Sequence, residues 1–276
     1  MSSTHVEDGG VPAGADDARA TRDRDHYDRI AGALASKDRY APSRLARAHR
    51  HVRSVELTGA SDLGAVLEIG CGCGFAAEYL SGHYARFVGI DHSAGVIDAA
   101  RTWNARDGVS FAQVDGRRLS AEALGGPFDT VFMIGVLHHV PEPVALLRQA
   151  MACLRPGGLV IANEPQDSNP AIRALRRLRK RGDADYSDEQ DEYAPAVLRA
   201  ILEEAGLEKV ALAAQGLFST PFAEVKLPPA ALTRPLAAAA CWADRGLERL
   251  APGAMRRLSW NLVAYGRTAE EAPRDD

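Results

Sequence analysis

Three carboxylates, Glu68, Asp91 and Asp115, recur at intervals of 23 and 24 residues, and the first stands two positions ahead of the run Gly70-Cys71-Gly72-Cys73-Gly74. Glycines let the backbone turn tightly and bring bare amide groups close to a ligand, so this run has the make-up of a nucleotide-type cofactor loop. A dinucleotide loop reads Gly-x-Gly-x-x-Gly and seats a pyrophosphate on the following helix N-terminus. Here Phe75 takes the third glycine's place and Gly74 comes one residue early, while Glu68 would face an anionic group poorly. A phosphate loop fails as well, because no Lys-Ser or Lys-Thr follows. An acidic residue at this point suits a ligand with a positive group. Cys71 and Cys73 have no second ligand pair and form a poor zinc pattern; they read as small side chains in a tight loop, and no metal is expected.

A second group of reactive side chains lies further on. His138 and His139 follow the apolar run Asp129 to Ile134, and imidazole titrates near neutrality, so either can act as general base on a substrate hydroxyl. Glu164 is a second candidate base. The basic run Arg173, Arg176, Arg177, Arg179, Lys180 and Arg181 reads as a solvated face paired with the acidic stretch after it.

The elements that must position these groups alternate. Apolar runs predict strands over Val66 to Ile69, Phe87 to Ile90, Val109 to Val114, Asp129 to Ile134 and Leu159 to Ala162. Helices are expected over Phe75 to Ser81, Ser93 to Asn104 and Val144 to Leu154, where Pro156-Gly157-Gly158 stops the last. Strands separated by helices imply βαβ units and a parallel sheet, and uninterrupted apolar strands imply burial on both faces. Glu68, Asp91 and Asp115 then line the crevice at the carboxyl ends of the strands.

Beyond Pro165 the spacing predicts a basic helix over Ala171 to Arg181, an acidic stretch from Asp183 to Glu192, a helix over Val197 to Ala205, and two last strands over Leu207 to Ala214 and Trp260 to Tyr265. The helical insertion between those strands has an expected apolar face of Leu236, Ala240, Ala243, Leu247 and Leu250. The chain reads as a disordered polar tail over 1–25, a single domain over 26–268 with lid insertions at about 165–195 and 226–258, and a short tail over 269–276.

Composition bounds the rest. The fractions of 46% hydrophobic and 25% charged residues are those of a globular protein, and a net charge of -4 gives no support for a nucleic-acid partner. No apolar run approaches the roughly 20 residues of a membrane helix. Four cysteines suggest a reducing, cytoplasmic setting.

The run Val66-Leu67-Glu68-Ile69-Gly70-Cys71-Gly72-Cys73-Gly74 resembles the first motif of class I S-adenosylmethionine-dependent methyltransferases. Val88-Gly89-Ile90-Asp91-His92-Ser93 is similar to the family's second motif, Gln113-Val114-Asp115-Gly116 to its third, Phe128 through Val140 to its fourth, and Leu154-Arg155-Pro156-Gly157-Gly158-Leu159 to its turn into the fifth strand. Tyr27-Asp28-Arg29-Ile30-Ala31 resembles the helix that closes over the cofactor. The resemblance, nearest to the small-molecule branch of the type 11 and 12 methyltransferases, implies an α/β fold. That fold is a Rossmann-like doubly wound sheet of seven strands, mostly parallel with an antiparallel final strand, plus helical lids. It implies S-adenosylmethionine as cofactor, held by Glu68, Gly70, Cys71, Gly72, Gly74, Asp91, His92, Asp115, Gly116 and Ile134. Asp91 would accept bonds from the ribose hydroxyls and Asp115 would meet the adenine amino group. Substrate choice would reside around Tyr27, Tyr40 and Glu164, with His138 or His139 catalytic. The implied acceptor is a small molecule of secondary metabolism, free or carrier-bound, methylated at a hydroxyl, carbon or nitrogen by a monomer or homodimer. The alternative is a protein of the same fold that catalyses a cyclisation or rearrangement and keeps the cofactor as structure.

Overall fold

The computed structural model describes residues 13–180 and 192–270, with side chains from residue 20 onward except at 177–180. The expected acidic stretch lies outside these residues apart from Glu192, as do the first 12 residues and the last six. Seven strands form one sheet: β1 (Ala65–Ile69), β2 (Arg86–Asp91), β3 (Val109–Gln113), β4 (Phe128–Ile134), β5 (Leu154–Pro165), β6 (Glu208–Gln215) and β7 (Asn261–Arg267). Their order is β3-β2-β1-β4-β5-β7-β6. The first five are parallel, and β7 runs antiparallel between β5 and β6. The doubly wound expectation therefore holds.

Among the described residues ten α-helices surround the sheet: α1 (Ala13–Arg39), α2 (Ala41–Glu56), α3 (Phe75–Tyr79), α4 (Ala94–Asn104), α5 (Pro143–Met151), α6 (Pro170–Lys180), α7 (Pro195–Ala205), α8 (Thr220–Glu224), α9 (Ala230–Leu250) and α10 (Pro252–Leu258). Each face of the sheet carries its own core, as burial of parallel strands on both sides requires. Leu67, Val131, Met133 and Val160 pack with Leu146, Leu147, Leu198 and Leu202 of α5 and α7. Val66, Phe87, Phe132 and Ile161 pack on the other side with Val55, Ala76, Ala77, Ile97 and Ala100. Leu154 belongs to β5, paired with Phe128, rather than to the preceding helix, which ends at Met151.

Two expectations are corrected. The segment 13–25 is not a tail: it is the first half of α1, a helix of 27 residues. Asp23 of this half reaches His92 and His139, polar contacts that hydrophobic periodicity does not reveal, whereas the second half of α1 packs Ala31 and Ala35 against Cys73, Phe75 and Val96. Asp28 accepts from Ser93 Oγ (2.5 Å) and from the Gly95 amide (2.8 Å), closing the N-terminus of α4. Helix α9 is turned from the expected orientation, so that Ala240 is the one residue of the expected apolar face among its buried positions. Ala237, Ala240, Cys241, Asp244 and Glu248 face inward, whereas Leu236 is 58% and Leu250 83% exposed. The two buried carboxylates explain this orientation. Asp244 accepts from the amides of Phe218 and Ser219 (both 2.9 Å), and Glu248 from the Gly216 amide (3.0 Å) and Arg53 Nε (2.8 Å). Buried polar groups that are fully bonded can outweigh a modest apolar stripe.

The junction between β1 and α3 is tight. Gly74 has a φ of 74°, and a Cβ there would lie 2.6 Å from the Phe111 ring and 2.9 Å from Ala100 Cβ. Left-handed backbone and overpacking together set the expected cost of Gly74→Ala at roughly 2–4 kcal/mol. Urea denaturation measures it, and an unchanged midpoint would remove Gly74 from the packing of α3 against β3 and α4.

Candidate active site

The strand order reverses beside β1, where β2 lies on one side and β4 on the other, so the loops leaving β1 and β4 diverge and open a crevice at the carboxyl end of the sheet. Helices α1, α2 and α8 cover it. The enclosed cavity has a volume of about 1290 Å³. Its lining includes Glu68, Gly70, Cys71, Gly72, Asp91, His92, Asp115, Gly116, Ile134, His138, His139 and Tyr27, thus bringing together most of the residues singled out in the sequence.

Glu68 lies within β1 and is 3% exposed, yet its Oε2 has no hydrogen-bond partner among the described residues. Burial, reinforced by Asp91 and Asp38, pushes its carboxyl well above the usual carboxylate range. An orphaned buried carboxyl oxygen at the wall of a cavity is a group waiting for a donor. Above it, Gly72 has a φ of 50° and nothing within 4 Å of where a Cβ would stand, so its open side faces ligand space rather than protein. Asp91, at the end of β2, accepts from the Gly72 amide and the Ser93 amide (both 3.0 Å), which fixes its carboxylate across the loop. Burial raises its pKa nonetheless, against those bonds. Asp115 is more exposed; the bidentate contact from Arg117, with Nη2 at 2.7 Å, holds its carboxyl below the ordinary range. Cys71 and Cys73 are buried thiols with raised pKa values, the latter at about 12, and so are neutral. Among the described residues no three His, Cys, Asp or Glu side chains form a group able to hold a metal ion.

The two histidines sit on a single 3-10 turn, Leu137–His139, just after β4, with ring centroids 4.2 Å apart. They are not equivalent. The Tyr27 hydroxyl of α1 lies within hydrogen-bond distance of His139 Nε2 (3.1 Å), and Asp23 of α1 lies 3.6 Å from Nδ1. Both ring nitrogens of His139 are engaged by the covering helix, and burial, then His138, lowers its pKa, which keeps the ring neutral. His138 turns its Nδ1 to Glu164 Oε2 (2.6 Å), and its Nε2 has no partner among the described residues. Glu164 is fully buried and lies behind the cavity wall, so it does not meet a substrate directly.

Three expected positions fall elsewhere. Gly74 packs inside, as above. Tyr40 precedes α2, and its hydroxyl donates to the Leu227 carbonyl (2.8 Å), away from the cavity. The segment 226–258 contributes nothing to the lining, because α9 is fastened to α2 and the loop before α8; Thr220, Pro221 and Glu224 of α8 stand there instead. From 165–195, Pro165, Leu175 and Arg176 reach the cavity. Helix α2 supplies residues the sequence patterns did not flag. Arg50 is bonded to Glu224 (2.9 Å) while its Nε is buried without a partner, and His51, held by the Arg47 carbonyl (2.7 Å), is neutral with a pKa of about 3 because of burial. Arg50 and His51 interrupt an otherwise weakly patterned helix, and only the close approach of α2 to β5 gives them meaning.

Glu68 makes the free protein's stability depend on pH. Its folded pKa lies above the unfolded value of 4.5, so the native state keeps a proton that the unfolded chain has lost. Stability is then fully present below that pH and falls as the pH climbs toward the raised value. Glu68→Gln should flatten this decline and add about 1–3 kcal/mol at neutral pH. Thermal melts at several pH values check it; a variant declining in parallel with the parent would show that another group carries the effect.

Comparison with known proteins agrees with this geometry. A family model described as a methyltransferase domain matches residues 67–160. A ubiquinone biosynthesis O-methyltransferase of Xanthomonas euvesicatoria is 35% identical over 166 residues, 56% of this chain and 65% of its own length. The chain thus spans somewhat less than two thirds of the curated relatives it matches. Magnesium protoporphyrin IX methyltransferase of Synechocystis, solved with S-adenosylhomocysteine, superimposes with a TM-score of 0.55 at 15% identity over 91% of this chain and all of its own. The [4+2]-cyclase SpnF does so with a TM-score of 0.51 at 17% identity, over 81% of this chain and 82% of that one. These last two likenesses concern the fold. Residues 67–160 thus carry a methyltransferase domain, and the five motifs in register around a crevice of this form fit S-adenosylmethionine as its cofactor.

Proposed function

We propose that the protein methylates a hydroxyl of a small molecule bound beside the cofactor. The observation that carries this is the cavity itself. Its lining joins the glycine loop, Asp91 and the unpartnered Glu68 oxygen with His138, Asn163, Thr220 and Trp260. A volume of about 1290 Å³ exceeds the roughly 300–1,000 Å³ of a site for one small ligand, leaving room for a donor and an acceptor together.

The residues fit the cofactor's chemistry. Glu68 would meet the ammonium, and the Nε of Arg50, partnerless among the described residues, would suit the carboxylate. The amides around Gly70 and Gly72 would line the methionyl chain, and Asp91 would accept from the ribose hydroxyls. His92, Asp115, Gly116 and Ile134 would hold the base, with Asp115, now bonded to Arg117, available to the adenine amino group. When bound, S-adenosylmethionine supplies a methyl group on a sulfonium that is already a strong electrophile. The chain's own work is therefore to hold the acceptor in line and to exclude water. Positioning of this kind can lower a barrier by roughly 7–11 kcal/mol. Tyr27 and Asp23 hold α1 over the crevice through His139, which closes the site. The name borne by the Xanthomonas relative supports an oxygen as acceptor, and a phenolic secondary metabolite or quinone precursor suits the mixed polar and apolar lining.

The test is incubation with methyl-labelled S-adenosylmethionine and a panel of phenols, catechols and amines. Label entering a phenol, with one S-adenosylhomocysteine released per product, is expected. Turnover of a substrate without S-adenosylhomocysteine would instead favour the cyclisation reading. Calorimetry should find S-adenosylmethionine affinity lowered at least about tenfold by Asp91→Ala, the scale of losing one or two charge-assisted hydrogen bonds. An unchanged affinity would remove Asp91 from the ribose contact.

A further inference from the structure

Glu164 is the most heavily bonded carboxylate near the site, and the contacts it makes have one direction. It stands at the end of β5, beside the turn that follows β4, because β4 and β5 pair in parallel up to Ile134 and Asn163. Oε1 accepts from the amides of Val136 (3.0 Å) and Leu137 (2.9 Å), and Oε2 from the His138 amide (3.4 Å) and His138 Nδ1 (2.6 Å). The Tyr193 hydroxyl braces the same turn by donating to the Leu137 carbonyl (2.9 Å). A carboxylate surrounded by four donors is an acceptor throughout. The hydrogen of the His138 ring therefore sits on Nδ1, and the lone pair sits on Nε2, the nitrogen left to the cavity.

We infer that Glu164 is a positioning residue that fixes the tautomer of His138, making Nε2 the base that receives a proton from a neutral hydroxyl acceptor. This rests on the methyl-transfer reading and names its acceptor class. The hydroxyl O–H bond breaks, and its proton goes to Nε2. The oxygen forms its bond to the methyl carbon while the carbon–sulfur bond breaks and its electron pair stays on sulfur. The resulting imidazolium keeps its Nδ1–H on the Glu164 carboxylate, which offsets the new charge within the buried wall. An amine already unprotonated needs no such base, so a buried carboxylate–imidazole pair would be surplus to an N-methyltransferase. His139 does not take the role in this arrangement, because Tyr27 pairs with its Nε2 and Asp23 faces its Nδ1, so neither nitrogen is left to an acceptor.

The decisive measurement is the tautomer. Long-range proton–nitrogen spectra of the full chain labelled at its eight histidines, with His138→Gln to assign the signal, report which ring nitrogen bears hydrogen. The Nδ1–H form is expected for His138 in the parent protein. Glu164→Gln has nearly the same shape and can still accept from the turn amides, but its NH2 would donate to Nδ1 and force the Nε2–H form. In that variant methyl incorporation into the phenols of the labelled panel should fall about 100-fold or more, the lower range for loss of a general base. S-adenosylmethionine affinity should stay within about twofold, and Glu164→Asp should recover the parent tautomer. An Nε2–H ring in the parent protein, a tautomer unmoved by Glu164→Gln, or incorporation confined to amines would overturn the proposal. Absence of incorporation into every panel member would sink methyl transfer, while the tautomer result would still decide the role of Glu164.

Discussion

Divergence of the chain at the ends of β1 and β4 is the constraint on which the rest depends. Neighbouring parallel strands whose connections leave in opposite directions cannot close over each other, so a cleft remains that the loops must line. The first loop meets this demand with backbone conformations and close approaches that only glycine permits, at Gly74 against Phe111 and Ala100. The second meets it with a single 3-10 turn whose amides converge on Glu164. Glu68 and Asp91 gather at the first loop and the two histidines at the second, on the neighbouring strand.

Polar contacts do much of the tertiary assembly around that cleft. Asp28 joins α1 to α4, Asp244 and Glu248 join α9 to the loop after β6, and Asn163 donates to Ser54 (2.8 Å) and Gln215 (2.5 Å) to tie β5 to α2 and β6. Asp244, Glu248 and Asn163 are buried and bonded, so each specifies an orientation as well as adding stability, while Asp28 acts from an exposed position. Helix α9 shows the consequence: its carboxylates set which face turns inward, and Leu232, Leu236, Trp242 and Leu250 stay exposed.

The functional asymmetry of the site comes from differences in partner rather than in residue type. Glu68 and Glu164 are both buried glutamates at the same end of the sheet. One has an oxygen with no donor and opens on the cavity; the other has four donors and lies behind the wall. His138 and His139 are adjacent and of one type, yet one is tied by its Nδ1 to the sheet and the other by both nitrogens to α1. A covering helix that meets both nitrogens of His139 leaves the His138 ring paired through Nδ1 with Glu164.

The sequence by itself determined the parallel sheet, the glycine loop and the cofactor, because strand burial and tight turns are local demands that leave marks in residue type and period. Val66 to Ile69 had to be buried on both faces, and Glu68 before the glycines had to face a positive group. The first half of α1, the inward face of α9, the role of Arg50 and the division of labour between the histidines left no such mark. They rest on hydrogen bonds between residues far apart in the chain, such as Tyr27 with His139 and His138 with Glu164. A polar side chain looks alike in sequence whether it is solvated or clamped, and only the tertiary structure supplies the partner that decides which.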